Sequence, residues 1–420
     1  MNYSQRDFQH IWHPYTQMET DKYPFVITKA EGSLLFSDDD KSFIDAISSW
    51  WVNLHGHCHP EIGNAIARQY QSLDQIIFAG FSHPVAIEYA EDLVKILPEN
   101  IQKIFYSDNG STAVEVGLKM AVQYWHNKDV PKGKIIALEN SYHGDTFGSM
   151  SVSQRGQFTL PFQEMLFDVE FLVSPAQNAG KCLEALEKHA QDKNTAAFIY
   201  EPLVQGAGGM LMYEPEILEQ MLEICRRNNV VTIADEVMTG FGRTGKLFAS
   251  NYCTISPDII CLSKGITGGV LPLAVTACSD KIYNAFLSSD RKKTFFHGHS
   301  YTGNALSIAA AKASLELLMN SQIKIDKINN SHQKFLGKLK VLGNVSHTRV
   351  RGTVLAFDVV DEENTSYFHP LRDQLNIAFL EAGVLLRPLG NTVYIMPPYC
   401  ITEEELSYVY QTIEKVITNI

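Results

Sequence analysis

Two stretches of the chain, VVTIADE (residues 230–236) and IICLSKG (residues 259–265), decide its fold. Each is a short apolar run of the kind found in strands that are buried on both faces of a parallel sheet, and each ends in charged residues. Asp235 and Lys264 follow these runs, 29 residues apart, which leaves room for one crossover between parallel strands. Ligands bind at the carboxyl ends of such strands, so we expect a carboxylate and an amine to face one cleft. A buried ion pair without chemistry would give the same spacing, and this alternative stays open here.

Similar apolar runs occur on either side of these two stretches. They predict further strands at 104–107, 134–138, 196–200 and 274–278, in addition to strands at 230–234 and 259–262 within the two stretches above. Helical patterns lie between the runs at 215–227 and at 304–318, and Asn304 is expected to cap the second of these helices. Another helix is expected to begin at Thr112, where Thr112 and Glu115 match a T-x-x-E capping box. Alternating strands and helices predict an α/β fold, a mostly parallel sheet with helices on both faces.

The two ends of the chain show a different pattern. The N-terminal part predicts a small antiparallel unit with strands at 25–28, 34–37 and 43–46. The C-terminal part predicts helices at 331–342, 372–382 and 403–417, and strands at 353–359, 384–387 and 393–396. We therefore expect a large α/β domain at 60–318 and a smaller discontinuous domain made of residues 1–59 and 319–420.

The composition narrows the classes of partner. The chain has 420 residues, of which 35 are basic and 47 acidic, so its net charge is −12. An acidic surface repels phosphate backbones and anionic lipids, and we expect neither nucleic acid nor a membrane as partner. No run approaches the roughly twenty apolar residues that span a bilayer. The N-terminus lacks a signal-peptide pattern, and the seven scattered cysteines form no CxxC motif, so a reduced cytoplasmic location is expected.

Four loops at predicted strand ends carry groups that suit a ligand. SDNGS (107–111) opens a helix, whose free N–H groups suit a phosphate. FHGHSYTGN (296–304) offers hydroxyls, EPLVQGAGG (201–209) permits close backbone approach, and NSYHGD (140–145) provides an aromatic ring. Each loop alone is weak evidence, but together with Asp235 and Lys264 they fit pyridoxal 5′-phosphate. A lysine amine forms a Schiff base with its aldehyde, and a carboxylate keeps its ring nitrogen protonated.

The residues around Asp235 and Lys264 also resemble a known family. ADEV (234–237), TGFGRTG (239–245) and SKG (263–265) are similar to the signature of class III (ω-) aminotransferases, which have the fold-type I architecture. The resemblance implies an enzyme with pyridoxal phosphate, a large domain with a mostly parallel sheet flanked by helices, and a smaller α+β domain from both termini. It also implies a homodimer with active sites shared between subunits.

Five further motifs resemble the branch of this family that acts in biotin synthesis. They are IWHPYT (11–16), SSWW (48–51), YHGDT (142–146), VQGAGGM (204–210) and RP…YIMPPY (387–399). This branch transfers an amino group from S-adenosylmethionine to 8-amino-7-oxononanoate and gives 7,8-diaminononanoate. Three alternatives stay open: lysine as amino donor, another ω-aminotransferase acting on ornithine or 4-aminobutyrate, and a regulatory protein on the same fold.

The resemblance implies a role for each matching residue. The cofactor would be held by Gly110, Ser111, Tyr142, Asp235, Lys264, His299 and Ser300. Of these, Lys264 would bind it covalently, Asp235 would pair with its ring nitrogen and Tyr142 would stack on its ring. Gly110 and Ser111 would hold the phosphate from one subunit, while Ser300 and the backbone around His299 would reach it from the other.

The resemblance also implies a substrate site. Its residues would be Tyr15, Trp50, Trp51, Tyr142, Gly298 and Arg387. Arg387 would bind the carboxylate of the keto acid, and Tyr15 is expected to act with Lys264 and Asp235 as a catalytic residue. Glu201, Asp145 and Arg243 would support the residues that contact the ligand.

Competing signals are weaker. HGHCHP (55–60) resembles a group of metal ligands, but the second cluster that a closed site needs is missing. No G-x-S-x-G elbow supports a serine hydrolase, and no G-x-G-x-x-G follows an early strand as a dinucleotide site requires.

Overall fold

The structure is a computed structural model that describes residues 2–21, 24–360 and 369–420. Its strands are β1 (Ile27–Glu31), β2 (Leu34–Ser37), β3 (Ser42–Asp45), β4 (Ile101–Ser107), β5 (Lys134–Leu138), β6 (Val169–Leu172), β7 (Thr195–Tyr200), β8 (Val204–Gln205), β9 (Leu211–Met212), β10 (Val231–Asp235), β11 (Ile259–Leu262), β12 (Ala274–Ser279), β13 (Val345–Arg351), β14 (Val354–Val359), β15 (Val384–Leu385) and β16 (Thr392–Ile395). Its α-helices are α1 (Tyr3–His10), α2 (Ser48–Trp51), α3 (Pro60–Tyr70), α4 (Pro84–Ile96), α5 (Gly110–Asn127), α6 (Phe147–Val152), α7 (Pro175–Ala190), α8 (Pro215–Arg227), α9 (Asp280–Asn284), α10 (Ala305–Met319), α11 (Gln322–Leu339), α12 (Leu371–Glu381) and α13 (Glu403–Thr418). No helix in these described ranges is both long enough and apolar enough to cross a bilayer.

A seven-stranded sheet forms the centre of the fold, with strand order β4-β12-β11-β10-β7-β5-β6. All neighbouring pairs are parallel except those of β12, which runs antiparallel to β11 and β4. Successive side chains of a strand point to opposite faces. Ile233 and Ile259 therefore pack with α5, whereas Ala234 and Ile260 belong to the hydrophobic cluster that includes α8. Both faces are covered, which explains why β10 and β11 are apolar at nearly every position.

The predicted α/β class is confirmed. Strands β5 and β11 and helix α8 have the predicted bounds, and the other predicted strands of the central sheet shift by one to three residues. The sequence did not distinguish β12 as antiparallel, and it did not predict β6 or α7. The strand predicted at 384–387 ends at Leu385, because Pro388 follows Arg387 and has no N–H to continue a ladder.

The predicted capping box of α5 is wrong. The N-cap is Asn109, whose side chain accepts a hydrogen bond from the backbone N–H of Thr112, and the Thr112 hydroxyl bonds back to Asn109. Glu115 lies one turn further on, where its carboxylate accepts hydrogen bonds from the Thr146 hydroxyl and the Gly148 N–H. An amide at the cap lets the helix begin two residues earlier, so that Gly110 is its first residue.

The smaller sheets join the two ends of the chain. Strands β1, β2 and β3 are antiparallel as predicted, and β15 from the C-terminal part adds to β3 in parallel, with Leu385 opposite Asp45. A second sheet has the order β13-β14-β16. This pairing supports our proposal that residues 1–59 and 319–420 form one small domain and residues 60–318 the large one.

The turn between β13 and β14 packs closely against the segment 243–245. Gly352 has φ +58, and a Cβ built there would lie 2.3 Å from the backbone nitrogen of Gly245. The next residue, Thr353, donates its N–H to the carbonyl of Arg243 at 2.9 Å. Only a glycine allows two backbones to approach this closely at positive φ.

We therefore expect Gly352→Ala to lower the free energy of unfolding by about 3 kcal/mol, since it adds both backbone strain and a backbone clash. Gly343→Ala is the matched control, because a Cβ at Gly343 meets nothing within 4 Å. Thermal unfolding of the two variants measures the difference. Equal melting temperatures would contradict the close approach described here.

Candidate active site

Lys264 and Asp235 lie at the same edge of the central sheet. Asp235 is the last residue of β10 and pairs in register with Cys261 of β11, three residues before Lys264. Lys264 begins a 3₁₀ turn, Lys264–Thr267, and has φ +48. A left-handed backbone is costly for a residue with a side chain, and such strain is concentrated at functional sites. The predicted juxtaposition of amine and carboxylate at one edge of the sheet is therefore present.

The two groups do not form an ion pair. Within the described residues, no carboxylate oxygen lies within 4.0 Å of Lys264 Nζ, and this atom lies 4.8 Å from the centre of the Trp51 ring. Burial lowers the pKa of the Lys264 amine, and the charges of Asp235 and Glu201 oppose this shift. The structure thus does not support the ion-pair alternative, and it leaves the amine available for reaction.

A buried histidine holds Asp235. His143 is fully buried, and its Nδ1 donates a hydrogen bond of 2.6 Å to Asp235 Oδ2. Oδ1 of Asp235 accepts the N–H of Val237 at 3.1 Å. The two contacts fix the carboxylate while leaving lone pairs for another partner. The sequence alone gives His143 no role, because nothing in its local pattern shows that the 140–145 loop crosses the end of β10.

Glu201 is a second buried carboxylate at this edge. Its Oε1 accepts the N–H of Tyr142 at 3.0 Å, and its Oε2 accepts the N–H of Gly206 at 2.8 Å. Burial raises the pKa of Glu201 to about 7, opposed by His143 and reinforced by Asp235. Glu201 therefore joins the tyrosine loop (residues 140–145) to the glycine-rich loop (residues 201–209) that follows β7.

The start of helix α5 forms a cradle beside these groups. A Cβ built on Gly144 would lie 2.0 Å from Ser111 Oγ, and one on Gly110 would lie 2.8 Å from Val237 Cγ1. The Ser111 hydroxyl accepts the N–H of Asp145 at 3.2 Å. Gly110 and Ser111 are the first two residues of an 18-residue helix, where N–H groups and the helix dipole favour an anion.

Tyr15, Tyr142 and Asp145 form a hydrogen-bonded cluster. The hydroxyls of Tyr15 and Tyr142 both donate to Asp145 Oδ2, at 2.6 and 2.9 Å, and they lie 3.3 Å from each other. Burial, together with Asp145 and Tyr15, raises the pKa of Tyr142 well above its usual value. The Tyr142 phenol therefore stays protonated.

An aromatic and cationic wall adjoins this cluster. Trp50 lies edge-to-face with Tyr15 at 5.5 Å between ring centres, and Arg387 Cζ lies 5.3 Å from the Trp50 ring centre. Trp51 is buried and donates its indole N–H to the Tyr394 hydroxyl at 3.0 Å. The wall combines apolar surface with a guanidinium, which suits a substrate with an aliphatic chain and a carboxylate.

The loop around Gly298, His299 and Ser300 lies apart from this wall. His299 Nε2 lies 3.9 Å from Asp108, just before α5, and has no hydrogen-bond partner among the described residues. The Ser300 carbonyl accepts from Gln75. No hydrogen bond within the described ranges joins these three residues to Lys264 or Asp235.

The predicted supporting residue Arg243 is buried behind the wall. Its guanidinium donates to the carbonyls of Pro397, at 2.9 Å, and of Asn53, at 3.1 Å. It stacks on the Tyr399 ring at 5.2 Å. Arg243 thus fixes backbone that carries the substrate wall.

Comparison with known proteins agrees with this geometry. A sequence model of the class-III aminotransferase family matches residues 15–417. This chain belongs to the class-III aminotransferase family. It is 46% identical to the adenosylmethionine-8-amino-7-oxononanoate aminotransferase of Synechococcus elongatus, over 98% of this chain and 99% of that protein. The enzyme of the same name from Staphylococcus aureus is 36% identical over 100% of this chain and 99% of that protein.

Solved structures give the same result for this aminotransferase. The adenosylmethionine-8-amino-7-oxononanoate aminotransferase of Methanocaldococcus jannaschii superposes with a TM-score of 0.94 at 36% identity, covering 99% of this chain and 98% of that one. A PLP-bound amine transaminase from an uncultivated Pseudomonas species gives 0.91 at 28% identity, covering 98% of each chain. The predicted family and fold type are confirmed, and the chain is an aminotransferase.

The residues present fit pyridoxal phosphate. Lys264 offers an amine without an ion-pair partner among the described residues, Asp235 keeps free lone pairs, and a Cβ-free cradle adjoins the start of α5. The amine can bond to the aldehyde of the cofactor, the carboxylate can accept a hydrogen bond from its protonated ring nitrogen, and the N–H groups at the helix start can bind its phosphate.

Glu201 makes the stability of the cofactor-free protein depend on pH. Its folded pKa of about 7 exceeds its ordinary value of 4.5, so its contribution is fully present below about 4.5 and is lost as pH rises through 7. Glu201→Gln removes this titration. We expect the variant to gain roughly 2–3 kcal/mol relative to wild type between about pH 5 and about pH 8.

Chemical denaturation of the cofactor-free proteins at several pH values measures this gain. The glutamine amide has one hydrogen-bond acceptor fewer than the carboxylate, but the resulting change in the free energy of unfolding does not vary with pH. Glu216→Gln is the control, since Glu216 is exposed, and its difference from wild type is expected to stay constant. A Glu201→Gln difference that is equally flat would contradict the raised pKa.

Proposed function

We propose that this aminotransferase converts 8-amino-7-oxononanoate to 7,8-diaminononanoate in biotin synthesis, with S-adenosylmethionine as amino donor and pyridoxal phosphate as cofactor. The observation that carries the proposal is the wall of Tyr15, Trp50 and Arg387, which matches a long keto acid with a terminal carboxylate. Near full-length relatives at up to 46% identity carry the corresponding name, which supports the same assignment.

The cofactor would be held by the chain's own groups. Lys264 would bind it covalently, Asp235 would keep its ring nitrogen protonated, Tyr142 would stack on its ring and the N–H groups of Gly110 and Ser111 would bind its phosphate. When bound, pyridoxal phosphate supplies an electron sink that stabilises a carbanion at the amine-bearing carbon. His143 would hold the Asp235 carboxylate in the correct orientation through its 2.6 Å bond.

Lys264 would also move the proton. Desolvation lowers the pKa of the Lys264 amine and so favours its neutral form, which can accept a proton from the substrate carbon and return it. Asp145 and the two tyrosine hydroxyls would orient the substrate amine at the cleft entrance. Donor and keto acid would use the same site in turn, which gives ping-pong kinetics.

The substrate wall would select the keto acid. Arg387 would form a bidentate pair with the carboxylate, and the Trp50 and Trp51 rings would cover the aliphatic chain. Because Trp50 is 42% exposed, a ligand there would bury apolar surface that water now contacts.

The active site would be completed in a homodimer. Segments 75–81 and 296–304 pack together through the Gln75 bond to Ser300 and the ring of Phe78 against Gly303. Large apolar side chains of these segments are exposed, namely Ile77, Phe81, Phe296 and Tyr301. An exposed apolar surface of this kind suits a second subunit, and there Gly298, His299 and Ser300 would reach the other active site. All seven cysteines are free thiols, in keeping with a cytoplasmic enzyme.

Visible absorption of the holoenzyme during titration with 7,8-diaminononanoate tests the assignment. We expect the yellow absorption of the bound cofactor to bleach as the amine is taken up, and 8-amino-7-oxononanoate to restore it. Ornithine and 4-aminobutyrate are the comparison amines and are expected to act at least tenfold more weakly, since they lack the long chain that the wall covers. Bleaching by these amines alone would assign a different substrate. Adding S-adenosylmethionine or lysine in the same assay identifies the amino donor, because the donor is the compound that bleaches the yellow absorption.

Lys264→Ala tests the role of the amine. We expect the variant to keep bound pyridoxal phosphate through the remaining contacts but to lose turnover by at least about 10³-fold, because proton transfer and covalent attachment both fail. Lys246→Ala is the matched control, since Lys246 is exposed and outside the cleft. Steady-state turnover measures both variants, and normal turnover of Lys264→Ala would refute the assignment.

A further inference from the structure

We infer that Asp45 is a positioning residue that, together with His57, holds the tryptophan turn (residues 48–51) in the geometry needed for the keto acid. The inference rests on the proposed function, because it takes Trp50 and Trp51 as the substrate wall. Neither Asp45 nor His57 contacts that wall's open face. Their effect would pass through the backbone of the turn.

The tryptophan turn has a strained backbone. Ser48 has φ 54, Ser49 has φ 60 with ψ −95, and Trp51 has φ 67. Each is a left-handed conformation at a residue with a Cβ, which L-residues rarely adopt. Three such residues within four persist only when surrounding contacts over-determine them.

Asp45 supplies the main contacts on one side of the turn. It is fully buried, and its two oxygens accept the Ser49 N–H at 2.9 and 2.7 Å. Oδ1 also accepts the Ile47 N–H at 3.2 Å, and Oδ2 accepts the Ser49 hydroxyl at 3.3 Å. One carboxylate thus satisfies the N–H groups that a left-handed backbone leaves without helical partners.

His57 holds the carboxylate in place. Its Nε2 donates to Asp45 Oδ2 at 2.9 Å, and its own backbone forms a bridge with Gly32, N–H to carbonyl in both directions. The bridge ties His57 to the small sheet. This contact gives a role to part of the HGHCHP segment, in which His55 bonds to Ser314 at 3.0 Å.

Other contacts fix the far side of the turn, so Asp45 acts on a defined geometry. The Ser48 hydroxyl donates to the Met396 carbonyl at 2.8 Å, and the Trp51 indole donates to Tyr394. Arg243 donates to the Asn53 carbonyl just beyond. With both sides held, the Trp51 ring lies 4.8 Å from Lys264 Nζ.

Asp45 also connects the turn to Arg387. It is the last residue of β3 and lies opposite Leu385 of β15, two residues before Arg387. The two parallel strands therefore deliver the tryptophans and the guanidinium to one place, where Arg387 Cζ lies 5.3 Å from the Trp50 ring. Release of the turn would separate the apolar and the charged halves of the wall.

Asp45→Asn tests the inference in the holoenzyme. The amide oxygen of the asparagine can still accept the Ser49 N–H. The amide NH₂ group replaces the second carboxylate oxygen and cannot accept a hydrogen bond, so the second bond to the Ser49 N–H is lost. We expect kcat/KM for 8-amino-7-oxononanoate to fall about tenfold to a hundredfold, mainly through KM, as misplacement of a positioning group does. The affinity for pyridoxal phosphate is expected to change less than about threefold, because Asp45 touches none of its proposed ligands.

Thr402→Ala is the matched control for stability alone. Thr402 caps α13 by accepting the Glu405 N–H, and its loss lowers the melting temperature without reaching the turn. Assays run below both unfolding transitions are expected to show wild-type kcat/KM for this control. Unchanged kinetics in Asp45→Asn, or a loss no larger than in Thr402→Ala, would overturn the inference.

His57 variants and a fluorescence measurement cover the case in which Asp45→Asn does not fold. His57→Gln keeps an N–H donor toward Asp45 and is expected to stay within about twofold of wild type, whereas His57→Leu loses about fivefold or more in kcat/KM. In a Trp12→Phe background, acrylamide quenching is expected to rise in His57→Leu, because buried Trp51 becomes accessible. Equal activity and equal quenching of the two variants would overturn the inference.

The quenching readout needs no substrate. If wild type does not turn over 8-amino-7-oxononanoate, the proposed function fails. The positioning role is then decided by quenching alone.

Discussion

The desolvation of the half-buried Lys264 amine beside two carboxylates, without an ion pair, is the constraint on which the rest of the site depends. A charged amine in a desolvated cleft is unfavourable, so its pKa falls, and the negative charges of Asp235 and Glu201 limit that fall. The arrangement is unstable by itself and needs a rigid frame. His143 on Asp235 and the two N–H groups on Glu201 provide that frame.

The frame explains why the loops at the sheet edge contact one another so closely. Glu201 bonds to the tyrosine loop and the glycine-rich loop at once, and Gly144 allows the tyrosine loop to reach Ser111 at the start of α5. Each loop is thereby fixed by a neighbour and not by its own sequence. A site built in this way keeps its polar groups in place before a ligand arrives, which is what efficient catalysis requires.

Much of this could be predicted from the sequence, and the limits have physical causes. Buried strands such as β11 are apolar at every position, so their bounds were found, and Lys264 and Asp235 followed from where those strands end. The direction of β12 was not found, because an antiparallel strand buried on both faces has the same pattern. The N-cap of α5 was misplaced because Thr112 and Glu115 match the sequence pattern of a capping box, whereas the structure forms the capping box between Asn109 and Thr112. The role of His143 was missed because its partner, Asp235, lies 92 residues away in the chain. The role of Asp45 was missed because its contacts with Ser49 and His57, four and twelve residues away, match no known sequence motif.

The two strained turns of the site meet across the proposed domain boundary. Lys264 and the tryptophan turn both have left-handed backbones, and a Cβ at Gly269, beyond the lysine turn, would lie 3.0 Å from the Asn53 nitrogen. Likewise, a Cβ at Gly265 would lie 3.1 Å from the side chain of Leu54. The segment that carries Lys264 is therefore close-packed against the residues that follow the tryptophan turn, and close-packed interiors transmit strain over such contacts. This packing links the position of the Lys264 amine to that of the tryptophans, although the two segments lie more than 200 residues apart in the chain.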